Sequence, residues 1–231
     1  MSLAGLTLER GLALIFDLDG VVVDSMPLHT LAWQRYLERL GVSREDVSAQ
    51  MHGRRNDEIV REFLGPDLAG ELVTEHGAAK ERLFRELMGS NLERALVPGI
   101  AGFLGRTAGL PVALATNAEP ANVAFVLDGV HLRQWFRVIV DGSQVQRAKP
   151  DPEVYLTAAE RLGVAPRNCI VFEDSAVGVS AARAAGMRVV GILSHAGTLA
   201  NVDFAVRDFL QPELEQWLAR QRTRPASEQR Q

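Results

Sequence analysis

"LALIFDLDGVVVDS", residues 12–25, decides the fold of this 231-residue chain. Its first five residues form an unbroken apolar run of strand length, which suits a strand buried on both faces of a parallel sheet. Asp17 and Asp19 follow at once, and residues two apart on extended chain point to the same side. Two carboxylates about 4 Å apart repel by roughly 4 kcal/mol at an effective dielectric of 20, so a buried pair requires a cation or a shared proton. A solvated turn, where aspartate is common, is the plain alternative.

Similar short runs recur at 112–116, 137–140, 169–172 and 188–192, with helical stretches between them. That alternation predicts an α/β fold, a Rossmann-like parallel sheet core with helices on both faces. The interval between Met26 and Leu96 breaks the rhythm: it holds amphipathic helical stretches such as "HTLAWQRYLERLGV" (29–42) and "AAKERLFRELMGS" (78–90) and no convincing strand. The expected organisation is a core of residues 1–24 and 97–219, an inserted four-helix-bundle-like unit of residues 25–96, and a polar, mobile tail of residues 220–231.

Composition narrows the function. With 47% hydrophobic and 23% charged residues the chain reads as an ordinary globular protein. A net charge of −4 offers no basic footprint for nucleic acid or an anionic membrane. The lone Cys169 forms no internal disulfide and sits in the apolar run "CIVF", which predicts a buried packing role. No segment resembles a membrane span or a secretory leader, so a cytoplasmic location is expected; a monomer is the separate expectation for its assembly. The five histidines (29, 52, 76, 131 and 195) lack zinc-ligand spacing, and no P-loop or G-x-S-x-G string occurs.

Strands of an open parallel sheet deliver their carboxyl ends to one edge, where ligands bind. The predicted exits bring there Asp17 and Asp19, then Thr116 and Asn117, then Glu173 and Asp174, with Lys149 in the loop "RAKPDPEVY" (147–155). Carboxylate oxygens at that density suit Mg²⁺, which takes substrate phosphate oxygens as well.

These residues, in this order, resemble the haloacid dehalogenase superfamily. "FDLDG" (16–20), "ATN" (115–117), Lys149 before "PDPEVY" and "FEDSAVGVSAARAAGM" (172–187) are similar to its four motifs. The resemblance implies Asp17 as nucleophile forming an aspartyl-phosphate, and Asp19 as the acid and base for leaving group and water. It implies Mg²⁺ held by Asp17, Asp19 through its backbone carbonyl, and Asp174, with Glu173 as a further ligand. Lys149 and Thr116 would stabilise the transferring group, with Asn117 and Gly20 on the phosphate side. Gly20 is expected to keep a side chain away from backbone amides there.

An insertion between the first two motifs is the type 1 cap of that family, a lid with hinges near 24–26 and 96–99. The branch most similar is that of β-phosphoglucomutase and the small sugar-phosphate phosphatases. By that likeness His29 and Lys80 are cap substrate residues, and "GRRND" (53–57) contributes Gly53, Arg54, Arg55 and Asn56. Asn56 stands where the mutase has the arginine that grips a second phosphate. The expectation is therefore a phosphatase acting on a small phosphorylated sugar or polyol. A β-phosphoglucomutase-type mutase is the alternative, and a non-catalytic binding protein the remoter one.

Overall fold

A computed structural model describes residues 11–43, 47–51, 54–194 and 197–222. Six strands form one sheet: β1 (Ala13–Phe16), β2 (Val112–Ala115), β3 (Val138–Val140), β4 (Cys169–Glu173), β5 (Arg188–Ile192) and β6 (Phe204–Val206). Their order is β3-β2-β1-β4-β5-β6, and every neighbouring pair is parallel. β1 is thus central, and the strand order reverses between β1 and β4, where open parallel sheets place a ligand crevice. β6 was not expected from the sequence, because only one of its three residues is β-branched and polar residues flank it on both sides.

The period of two sorts each strand's side chains between two cores. Leu14, Phe16, Ile170 and Phe172 face one side, under α5 (Ile100–Arg106), α6 (Pro120–Gly129) and α9 (Pro212–Arg222). Ala13, Ile15, Cys169 and Val171 face the other, under α7 (Glu153–Leu162) and α8 (Ala176–Ala184). Cys169 is fully buried, and burial pushes its thiol up to about 11, in keeping with a packing role. Helix α9 runs on to Arg222, so residues 220–222 of the segment expected to be mobile are helical. One reason is the hydrogen bond from Arg188 Nη1 to Gln221 Oε1 at 3.0 Å. The rest of the tail, from residue 223, lies outside the described residues.

The insertion supplies α1 (Met26–Arg39), α2 (Val47–Met51), α3 (Asn56–Leu64) and α4 (Gly70–Met88). Trp33, Leu37, Ile59, Val60, Phe63 and Val73 make a small core of their own. Leu83, Phe84 and Met88, at the far end of α4, instead join the sheet-side core. The two connections of the insertion run side by side: Asp24 N donates to Ala95 O at 2.6 Å, and Val97 N to Val22 O at 3.1 Å. Among the described residues no helix is long and apolar enough to cross a membrane.

Candidate active site

Asp17 leaves β1 directly after Phe16, whose ring stacks on Phe172 with centroids 4.4 Å apart. Phe103 and Phe136 meet the Phe16 ring edge-on. Truncating a buried ring of this kind costs about 3–5 kcal/mol, so the carboxylate stands on a rigid apolar base. Lys149 Nζ lies 3.0 Å from Asp17 Oδ1 and donates to Glu173 Oε1 at 2.7 Å. Burial alone would depress the ammonium, but Asp17 and Glu173 outweigh it and hold Lys149 above the ordinary lysine value. Burial pushes the Asp17 carboxyl up to about 7, against the pull of Lys149 and with Glu173 and Asp19 adding to it.

Glu173 is fully buried and satisfied by five donors. Lys149 and the Tyr155 hydroxyl reach Oε1, while Asp174 N, Ser175 N and Ser175 Oγ reach Oε2. These bonds outweigh burial and hold its carboxyl below the usual range. Ser175 also caps α8, accepting from Gly178 N at 3.0 Å. Asp174 has the opposite setting: burial, then Glu173, Asp17 and Asp19, push it well above the usual carboxylate range. Asp17, Glu173 and Asp174 each place an oxygen within 4.8 Å of the others. A cluster this rich in negative charge fits a divalent cation. Asp17 and Asp174 are its less committed members.

Asp19 belongs to a second environment, on the side of the helical insertion. Ser25 Oγ donates to Asp19 Oδ1 at 2.5 Å, although Ser25 is the N-cap of α1, a position from which serine ordinarily caps the helix. His29 Nε2 lies 3.4 Å from the same oxygen. Burial works upward on Asp19, but His29 and Ser25 prevail and lower its carboxyl. Gly20 takes φ +74°, and a Cβ there would stand 1.8 Å from Asp174 Oδ2. The expected reason for glycine is thereby corrected: the space is taken by the Asp174 carboxylate.

A cavity of about 370 Å³ opens between core and insertion. Asp17, Asp19, Thr116, Asn117, Lys149 and Asp174 line its floor, and His29, Arg54, Arg55, Asn56 and Lys80 its roof. Thr116 Oγ1 accepts from Ala118 N at 3.1 Å and keeps its proton for donation. Asn117 Oδ1 accepts from Lys149 N at 3.3 Å. The roof residues line the cavity as expected, and the long cations among them have protein partners as well. Arg54 is spent on Gln50 O, Glu58 and Glu62, on its own helical surface. Arg55 reaches across to the core, donating to the carbonyls of Gly142, Val145 and Gln146. Lys80 Nζ is held by His29 Nδ1 and Glu81 Oε1, both at 2.8 Å. Asn56 Oδ1 is buried without a hydrogen-bond partner among the described residues. Gly53 lies outside the described residues.

With this geometry established, comparison with known proteins is decisive. The profile of a family described as haloacid dehalogenase-like hydrolase matches residues 12–186. The chain belongs to the haloacid dehalogenase-like hydrolases. It is 33% identical over 189 residues to fructose-1-phosphate phosphatase YqaB of Escherichia coli (strain K12), covering 80% of this chain and 97% of the relative. It is 29% identical to the β-phosphoglucomutase of Bacillus subtilis (strain 168), covering 90% and 98%. A crystal structure of β-phosphoglucomutase from Clostridium difficile superposes with a TM-score of 0.80 at 25% identity, over 90% of this chain and 97% of that one.

This hydrolase is therefore an enzyme of a family that includes phosphatases and a phosphomutase. Several residues that build its site were not read from the sequence. Tyr155 was visible only as part of "PDPEVY", and Ser25 only as the end of the opening stretch. Glu81 and Asn122 carried no signal, since each reads as one polar residue on a helix face.

Proposed function

We propose that this hydrolase cleaves the phosphate monoester of a small sugar or polyol through an aspartyl-phosphate on Asp17. The observation that carries the reading is one cavity wall holding Asp17 against Lys149, with Asp19 two residues on and separately held by Ser25 and His29. A nucleophile and a proton carrier are thereby given different partners. Asp17 attacks phosphorus, the ester oxygen leaves with a proton from Asp19, and Asp19 then takes a proton from the water that opens the acyl phosphate. The substrate's negative charge raises the protonated fraction of Asp19 for the first step, while its ionised resting form suits the second.

Lys149 and the Thr116 hydroxyl face the transferring group, and Glu173, its oxygens taken by five donors, acts by holding Lys149. Asp17, Asp174 and the Asp19 backbone carbonyl would hold Mg²⁺, which when bound neutralises charge on the phosphoryl oxygens. Phosphatase is favoured over mutase by the roof. Arg54, Arg55 and Lys80 are each engaged by carboxylates, carbonyls or His29, and Asn56 is neutral, so a second phosphate finds no uncommitted cation among the described lining residues. The Escherichia coli relative, named fructose-1-phosphate phosphatase, supports the same class.

Asp17→Asn is expected to lower phosphate release by about 10³-fold or more with an unchanged circular dichroism spectrum. Retained release would overturn the assignment of the nucleophile. β-Glucose 1-phosphate with a trace of bisphosphate separates the outcomes: glucose 6-phosphate without stoichiometric phosphate would establish a mutase.

A further inference from the structure

A buried polar chain runs from Asp19 through the cap and back into the core. His29 Nε2 faces Asp19 Oδ1, and His29 Nδ1 meets Lys80 Nζ at 2.8 Å. Lys80 donates to Glu81 Oε1 at 2.8 Å, and Glu81 Oε2 accepts from Asn122 Nδ2 at 2.7 Å. Arg85 Nη1 then bridges Asn122 Oδ1 at 2.5 Å and Glu119 Oε1 at 2.6 Å. Lys80, Glu81 and Asn122 are all buried. Asn122 and Glu119 belong to the start of α6, outside the motifs.

With Lys80 as an ammonium beside Glu81, the chain has one consistent proton assignment. An ammonium is donor only, so His29 Nδ1 must accept from Lys80, which leaves the ring proton on Nε2, the nitrogen facing Asp19. Glu81 Oε1, 2.8 Å from Lys80 Nζ, supplies the counter-charge to that ammonium and fixes it. Glu81 is in turn aimed by Asn122, a residue of the core. His29 lies flat on Phe84 with centroids 3.7 Å apart, so its ring can present either nitrogen only by turning within that stack.

We propose that Glu81 and Asn122 are positioning residues for Asp19: together they set the tautomer and orientation of His29 when the cap is seated on the core. This rests on the reading of Asp19 as proton donor to the leaving group. The role is distinct from general stability because it predicts dependence on the leaving group. An alkoxide needs the acid, whereas p-nitrophenolate leaves with little help. The ratio kcat/KM reports the steps up to leaving-group departure.

The test compares Glu81→Gln and Asn122→Leu with the wild type on a hexose or polyol phosphate and on p-nitrophenyl phosphate. Each variant is expected to lose about 10- to 100-fold in kcat/KM on the alkyl ester and less than about threefold on the aryl ester. Equal losses on both, or no loss, would overturn the proposal while leaving the phosphatase reading intact. A wild type that hydrolyses neither ester defeats the phosphatase reading instead. The device is then judged by ¹⁵N shifts of the His29 ring. A protonated Nε2 and bare Nδ1 in the wild type, disturbed in Glu81→Gln, support it, and unchanged shifts overturn it. Should Glu81→Gln not fold, Asn122→Leu and the half-exposed Arg85→Met carry the same comparison, and loss of fold in all three would mark the chain as structural only.

Discussion

Gly20 holds φ at +74° with the Asp174 carboxylate in the space a Cβ would occupy, and Gly178, at an ordinary helical position in α8, leaves that space to Glu173, whose Oε1 would lie 1.7 Å from an added Cβ. Both glycines let a carboxylate approach backbone closely, which is the physical content of those motif positions. Gly20→Ala is expected to displace Asp174, to lower turnover by about 100-fold or more, and to cost about 1–2 kcal/mol through the left-handed φ. Steady-state kinetics and a urea melt check the two effects separately. At this scale Asp17, Asp19, Lys149 and Asp174 were legible, because carboxylates and an ammonium at strand exits have few structural uses. Arg54, Arg55 and Lys80 were legible as residues near the cavity but not as to partners. Which acceptor a long cation meets depends on chain segments as far as 91 residues away, as Arg55 and Gln146 illustrate.

Elements bring these residues together in two ways. The parallel register Phe16↔Phe172 and Phe16↔Leu114 levels the ends of β1, β4 and β2, so Asp17, Glu173 and the Thr116 turn emerge at one height. The helices add a clasp: Arg55, just before α3, holds three carbonyls of the loop that precedes Lys149. Hydrogen bonds from a charged group contribute about 1.5–3 kcal/mol. Arg55→Ala is therefore expected to raise hydrogen exchange at residues 54–60 and 142–146 by tenfold or more and to raise KM more than it lowers kcat. Unchanged exchange at both segments would show that the clasp does not seat the cap. Strand positions were readable because buried runs are unbroken and β-branched. β6 was missed because Phe204–Val206 holds one β-branched residue, whereas the equally short β3 is wholly β-branched, so pairing with β5 rather than composition makes the strand.

For the whole molecule, the balance of charge across the cavity is the controlling quantity. Asp17, Asp19 and Asp174 line it with Glu173 buried beside them, and Lys149 offsets only part of that charge, since Lys80 is already paired with Glu81. A cation that binds the folded chain and not the unfolded one stabilises it by about 2.7 kcal/mol at a hundredfold excess over Kd. Millimolar Mg²⁺ is thus expected to raise the melting midpoint by several degrees, with chelator reversing the gain and Asp174→Asn abolishing it. A midpoint indifferent to Mg²⁺ would count against the metal. By itself the sequence determined the parallel α/β core, the helical insertion and the convergence of the motif residues, since these follow from local periodicity and from the rule that parallel strands end at one edge. Tertiary structure alone decided that Glu173 accepts from Lys149, that Arg55 meets three carbonyls of the core, and that Glu81 bonds both Lys80 and Asn122 of α6. Each of those depends on distances between side chains remote in the chain, and a buried polar atom's partner is chosen by packing, which no local pattern encodes.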